Sequence, residues 1–263
     1  MRILCTFPGR AGDLLWALPT VRAISESLGH PVDLQIAGEF ASMVDQLLKQ
    51  PYLAGVIADP RWGMGDGWEA PRLPKEYDRV IHLGYRRWPE LPLPFEVAGI
   101  ANRLGLAVLP DLQRPWITVK PQRMYGAVAV GWTDCHFELK YGLSQLLFTS
   151  RDGRPFRDAV LLPPPGSRWI TEGVERPCGW LEAAAQIAGA PCFLGDCSAL
   201  HVLACALGKP VVCYEPMVER LNPIFWPYGK DGPQVTLVRG NDGEMTTDSR
   251  HTAETLEKVL HGR

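Results

Sequence analysis

Short apolar runs alternate with stretches of helical periodicity from the first residues onward, and turns rich in Gly and Pro separate them. Parallel strands need long crossover connections, usually helices, so this alternation points to parallel sheets covered by helices. A first strand is expected over 2–7. Leu14, Leu15, Leu18, Val21, Ile24 and Leu28 then recur at helical spacing, and Gly29 closes the run. Further strands are expected over 32–37, 56–58 and 78–83, with helices over 40–50 and 95–106. After a connector at 116–122 the alternation restarts, with strands over 127–131, 159–162, 192–194 and 210–214. Helices over 180–188, 199–207 and 252–260 accompany them. The expectation is two α/β units, 1–121 and 122–263, with the last helix either in the second unit or folded back on the first.

Composition removes several function classes. A chain of 263 residues with 46% hydrophobic and 21% charged residues can bury a core and is not a disordered polypeptide. It carries 27 basic and 29 acidic residues, a balance unlike that of a generally basic nucleic-acid binder. The seven cysteines, at 5, 135, 178, 192, 197, 205 and 213, form no Cys-x-x-Cys pair and mostly sit in apolar runs. They read as buried, reduced thiols and not as a zinc site or a disulfide framework. No stretch approaches the roughly 20 apolar residues of a membrane span. The protein is expected in the cytoplasm, with a peripheral contact at the inner face of the membrane left open. The G-x-G-x-x-G, P-loop and G-x-S-x-G patterns are absent from the sequence, so dinucleotide, NTPase and serine-hydrolase readings lose support.

Two strand–turn–helix junctions carry most of the functional information. The first runs through Pro8, Gly9, Arg10, Ala11, Gly12 and Asp13. A helix start offers unpaired N–H groups and a positive dipole end, and ligands of open α/β sheets sit where strands end. Asp13 opens that helix. By spacing alone a capping or first-turn carboxylate is the simpler reading. The second junction runs through Gly195, Asp196, Cys197, Ser198, Ala199, Leu200 and His201. Such a helix start suits a phosphate, although a capping Asp and Ser beside a structural histidine would look the same.

The pair of junctions resembles glycosyltransferase family 9, the ADP-heptose:lipopolysaccharide heptosyltransferases and their relatives. The opening Met1-Arg2-Ile3-Leu4, then Gly12-Asp13-Leu14-Leu15 and on to Leu18-Pro19, is similar to the family's strand, Leu-Gly-Asp and apolar helix. Asp196 and His201 stand at the spacing of the family's Asp-Thr/Ser-Gly-x-x-His motif. The match continues through Gly208-Lys209-Pro210-Val211-Val212 to Glu215-Pro216 and Trp226-Pro227-Tyr228-Gly229. This resemblance implies a GT-B fold, two Rossmann-like parallel-sheet domains facing across a cleft, here shortened relative to typical members. The first domain would bind the acceptor and the second the nucleotide-sugar. The implied activity is inverting, metal-independent transfer of a sugar from a nucleoside-diphosphate sugar to a hydroxyl of a glycan or lipopolysaccharide, by a monomer, with no cofactor. Asp13 would be the general base. Gly195, Asp196, Cys197, Ser198, His201 and Lys140 would hold the donor diphosphate, and Gly12, Arg10, Trp132, Thr133, His82 and Glu215 would line the cleft. The sequence departs from the family pattern at Ala11, Cys197 and Ser198.

Two other readings stay open at this stage. One is a non-catalytic GT-B module that binds a nucleotide or glycan. The other is a glycosyltransferase acting on modified nucleic acid, suggested by Trp62, Trp68 and Trp88 near Arg61, Arg86 and Arg87. Asp66, Glu69, Glu90 and Glu96 are alternative bases that read more simply as solvated surface carboxylates. His82 and His136 each read as structural histidines or as substrate contacts.

Overall fold

A computed structural model of the chain describes residues 1–44, 48–62, 76–84, 93–122, 129–131, 160–162, 179–195, 199–213, 234–243 and 249–261. The chain divides into two compact units, the first spanning Met1–Thr118 and the second beginning at Val119.

The first unit contains β1 (Ile3–Phe7), α1 (Ala11–Leu28), β2 (Val32–Ala37), a 3-10 turn over Gly38–Phe40, α2 (Ala41–Val44), β3 (Leu53–Asp59), β4 (Arg79–His82) and α3 (Leu93–Arg103). Its strands form one parallel sheet in the order β3-β2-β1-β4. Every residue of β1 and β2 is buried, as central strands covered on both faces require. Edge strand β3 is mostly half-buried, with Ala54 and Ile57 exposed and Asp59 buried at its end. α1 and α3 pack against each other. Gly29 ends α1 in the left-handed region, at φ 74°, and its N–H caps the carbonyl of Glu26.

Of the helix expected over 40–50, Ala41–Val44 is helical among the described residues. Leu48 N donates to the carbonyl of Met43, and residues 48–50 are not helical. Pro51 explains part of this, because a residue before proline is pushed out of the helical region. The connector reading of 116–122 also changes. Trp116 and Ile117 are buried in the first unit, and only after Thr118 does the chain enter the second.

The second unit contains β5 (Ala129–Gly131), β6 (Val160–Leu162), α4 (Trp180–Gly189), β7 (Phe193–Gly195), α5 (Ala199–Ala206), β8 (Val211–Cys213), β9 (Val235–Leu237) and α6 (Ser249–His261). Its parallel sheet has the order β6-β5-β7-β8-β9. β9 was not expected from the sequence. α6 packs against β8. Cys5, Cys192, Cys205 and Cys213 are buried. Burial pushes the Cys5 and Cys192 thiols up to about 12, which leaves them protonated and unreactive near neutrality.

Candidate functional site

In each sheet the strand order reverses at one place, and ligands of open α/β sheets bind outside the carboxyl ends of the strands there. In the first sheet that place lies between β1 and β4, because β2 and β3 extend to the other side. The β1–α1 turn therefore carries Gly9, Arg10, Gly12 and Asp13 onto the switch point. Arg10 precedes the helix with extended backbone, at φ −66° and ψ 169°, and its side chain does not cap it. Its carbonyl accepts from Leu14 N at 2.7 Å, so the N–H groups of Ala11, Gly12 and Asp13 lie ahead of the intrahelical ladder. Asp13 is half-buried in the first turn, and Arg10 is exposed. Gly9 is required by close approach. A Cβ there would lie 2.2 Å from the Phe7 ring and 3.0 Å from the Asp13 Cβ.

The neighbouring strand ends at His82, which pairs in register with Thr6 of β1. Thr6 is only 1% exposed, whereas His82 is exposed. Thr6 Oγ1 lies 2.9 Å from His82 Nδ1, and the Thr6 carbonyl accepts from Leu83 N at 2.8 Å. Partial burial of the imidazole holds its pKa below the usual 6.5. At the outer end of the same edge, Arg61 donates to both carboxylate oxygens of Asp59, at 3.1 and 3.2 Å. Those bonds hold the Asp59 carboxyl below its usual range. Trp62 is buried and so is not presented for stacking. Glu96, expected to be a solvated carboxylate, is buried in the first turn of α3.

In the second sheet the reversal lies between β5 and β7, whose last residues, Gly131 and Gly195, are register partners. Gly195 is buried at the end of β7. His201 is the third residue of α5 and is 0% exposed, and burial pushes its imidazole down to about 3. It is a neutral group packed inside the unit. The other residues named for this half, Lys140, Asp196, Cys197, Ser198, Trp132, Thr133 and Glu215, lie outside the described residues, as do Trp68, Trp88, His136, Asp66, Glu69 and Glu90.

A cavity of about 410 Å³ opens at the opposite edge of the first sheet, lined by Arg22, Tyr52, Arg114 and Trp116 among others. Its polar groups already serve the fold. Arg22 donates to the carbonyls of Asp111, Arg114 and Pro115, and the Tyr52 hydroxyl donates to the carbonyl of Trp116. It lies far from any strand's carboxyl end and offers no group for the chemistry of the switch point. Among the described residues no group of three or more His, Cys, Asp or Glu could hold a metal ion. No helix among them is long and apolar enough to cross a membrane.

Two parallel α/β units, each with its own switch point, give the chain the architecture of GT-B proteins. No protein-family model and no curated protein matches the chain by sequence. By structure it resembles a glycosyltransferase family 9 protein from Veillonella parvula, with a TM-score of 0.65 at 12% identity over 100% of this chain and 97% of the other. It also resembles the E. coli heptosyltransferase WaaC solved with ADP, with a TM-score of 0.65 at 18% identity over 98% of this chain and 100% of that one. A third likeness is to E. coli ADP-heptose lps heptosyltransferase II, with a TM-score of 0.60 at 15% identity over 100% and 99% of the two chains. At these identities the likeness establishes the fold, which is the one the sequence resemblance implies.

Proposed function

We propose that this chain is an inverting glycosyltransferase that moves a sugar from a nucleoside-diphosphate sugar, of ADP-heptose type, to a hydroxyl of a glycan or lipopolysaccharide acceptor. The observation that carries this reading is the position of Asp13. A carboxylate stands in the first turn of the helix that leaves β1, at the switch point of a fold shared with WaaC. WaaC has been solved with ADP and with ADP-2-deoxy-2-fluoro heptose.

In this reading the first unit binds the acceptor and the second binds the donor. Asp13 takes the proton from the acceptor hydroxyl as its oxygen attacks the anomeric carbon and the bond to the nucleoside diphosphate breaks. General-base catalysis of this kind contributes on the order of 10²–10⁴-fold. The leaving diphosphate is held by the backbone after Gly195, by Asp196, Cys197 and Ser198 at the start of α5, and by Lys140. A helix start stabilises such an anion through its N–H groups and dipole, so no divalent ion is required. Buried His201 anchors α5 inside the unit. Trp132, Thr133, Glu215, Arg10, Gly12 and His82 border the substrates. The protein acts as a cytoplasmic monomer, at the inner face of the membrane when its acceptor is lipid-linked.

The test is transfer from ADP-sugars to lipopolysaccharide core acceptors by wild type and by Asp13→Asn, with ADP binding measured in parallel. The variant should bind ADP within about twofold of wild type and lose turnover by the factor expected of a general base. EDTA should leave wild-type turnover unchanged. Full turnover by Asp13→Asn would remove Asp13 from the mechanism.

A further inference from the structure

The Thr6–His82 contact assigns a proton. Thr6 is buried on a central strand, and among the described residues its hydroxyl has one hydrogen-bond partner, His82 Nδ1 at 2.9 Å. A hydroxyl carries one hydrogen and can also accept, whereas Nδ1 either accepts or donates according to the tautomer. If Nδ1 carried the proton, Thr6 would accept it and its own hydrogen would point into protein with no acceptor among the described residues. Leaving a buried donor unmade is the costly arrangement, because the group loses its water and gains nothing. If Thr6 donates instead, its hydrogen is satisfied and Nδ1 is the acceptor. The ring proton is then on Nε2, on the side of the imidazole away from Thr6.

We infer that Thr6 and His82 form a positioning pair that presents a fixed, neutral Nε2–H donor at the carboxyl edge of the first sheet, for an oxygen of a hydroxyl-bearing acceptor. Three observations combine here. His82 is exposed although its partner is buried. Its backbone is fixed by the β1–β4 register and by Leu83 N on the Thr6 carbonyl. It ends the strand that borders the switch point, next to the strand that leads into Asp13. A ring with its proton on Nε2 has no lone pair there to accept another. His82 is therefore unsuited to take the acceptor's proton, and the carboxylate remains the candidate base. A neutral N–H suits an uncharged sugar oxygen. This inference rests on the transferase reading for the identity of the ligand, but the tautomer does not.

The experiment uses the full chain labelled with ¹⁵N-histidine. Long-range ¹H–¹⁵N correlation spectra report which ring nitrogen of His82 carries the proton, with His82→Gln supplying the assignment. Wild type should show the Nε2–H form, and Thr6→Val should release it into a mixture of both. An Nδ1–H form in the wild type would overturn the inference. Titration with lipopolysaccharide core oligosaccharides should shift the Nε2 signal. Oligosaccharides that bind without moving it, or a panel that fails to bind, would overturn the acceptor role. In transfer assays His82→Leu should raise the acceptor KM roughly tenfold, about 1.4 kcal/mol, and leave the donor KM unchanged. His82→Gln, whose amide N–H stands near the position of Nε2–H, should recover most of that loss. A His82→Leu enzyme with unchanged acceptor KM would also overturn the role. An Nε2 signal that responds to saccharide in a protein with no turnover would count against the transferase reading alone.

Discussion

The indole Nε1 of Trp116 donates to the backbone carbonyl of Leu15 at 2.9 Å, deep in the first unit. The residue four positions on from Leu15 is Pro19, which lies inside α1 and has no N–H to give that carbonyl. Trp116 thus supplies the hydrogen bond that proline removes, and a residue about a hundred positions away completes the helix that carries Asp13. The two tryptophans Trp16 and Trp116 sit 5.5 Å apart, ring to ring, beside this bond.

This arrangement predicts a specific coupling. Trp116→Phe keeps an aromatic ring but orphans the Leu15 carbonyl, and should cost roughly 1–3 kcal/mol of stability. Pro19→Ala restores a backbone N–H at the right place. In that background Trp116→Phe should cost measurably less, giving a coupling of at least about 0.5 kcal/mol in urea denaturation. Simple additivity of the two substitutions would show that the indole does not replace the missing N–H.

Arg22 anchors the segment that leaves the first unit. It is 6% exposed, and its guanidinium donates to the carbonyls of Asp111, Arg114 and Pro115. Burial pushes its pKa down, with the nearby Arg114 charge adding in the same direction. Arg22→Met keeps much of the apolar stem but leaves several carbonyls without donors. Thermal unfolding should report a loss of roughly 2–4 kcal/mol. Protease cleavage between residues 111 and 118 should become faster under native conditions. An unchanged cleavage pattern would mean that Trp116 and Tyr52 hold the segment without Arg22.

Gly9 sits where the Phe7 ring and Asp13 crowd the β1–α1 turn. Gly9→Ala would put a Cβ 2.2 Å from a Phe7 ring carbon, so the ring or the turn must shift. Overpacking of this kind costs roughly 1–3 kcal/mol. Because the displaced turn carries Asp13, transfer activity should fall by more than the loss of folded protein explains. Phe7→Leu should cost less in the Gly9→Ala background than in wild type. Equal costs in both backgrounds would show that the ring is not what Gly9 accommodates.

Much of the fold is legible in the sequence because buried central strands leave strong apolar runs, and Gly29 and Gly208 mark helix ends. The β1–α1 turn with Asp13 is legible for the same reason, since it falls where an apolar strand meets a helical period. Elements at the margin are less so. Val235–Leu237 is three residues long and only half-buried, too short for a pattern to stand out. Phe40, Met43, Leu47 and Leu48 keep helical spacing in the sequence, yet residues 48–50 are not helical, because the period cannot see Pro51 or the Leu48–Met43 bond. The Thr6–His82 and Trp116–Leu15 pairs are separated by 76 and 101 positions, and only strand register and packing bring them together. Neither residue type signals its partner, so this layer of the candidate site comes from the structure.

His201 provides the pH test. Its imidazole is fully buried and pushed down to about 3, whereas an unfolded chain titrates near 6.5. Below the unfolded value the unfolded state binds a proton that the folded state excludes, so stability falls as the solution is acidified. The contribution is complete above about pH 6.5 and erodes by about 1.4 kcal/mol per pH unit across the window down to the folded value. Between pH 6.5 and 5 the loss from this one group should be roughly 2 kcal/mol. His201→Gln has no proton to gain. Its urea midpoint is therefore expected to be less sensitive to acid over that range, whatever its stability at pH 7. If wild type and variant lose stability in parallel from pH 6.5 to 5, His201 is protonated in the folded protein and stands in a far wetter place than the structure gives it.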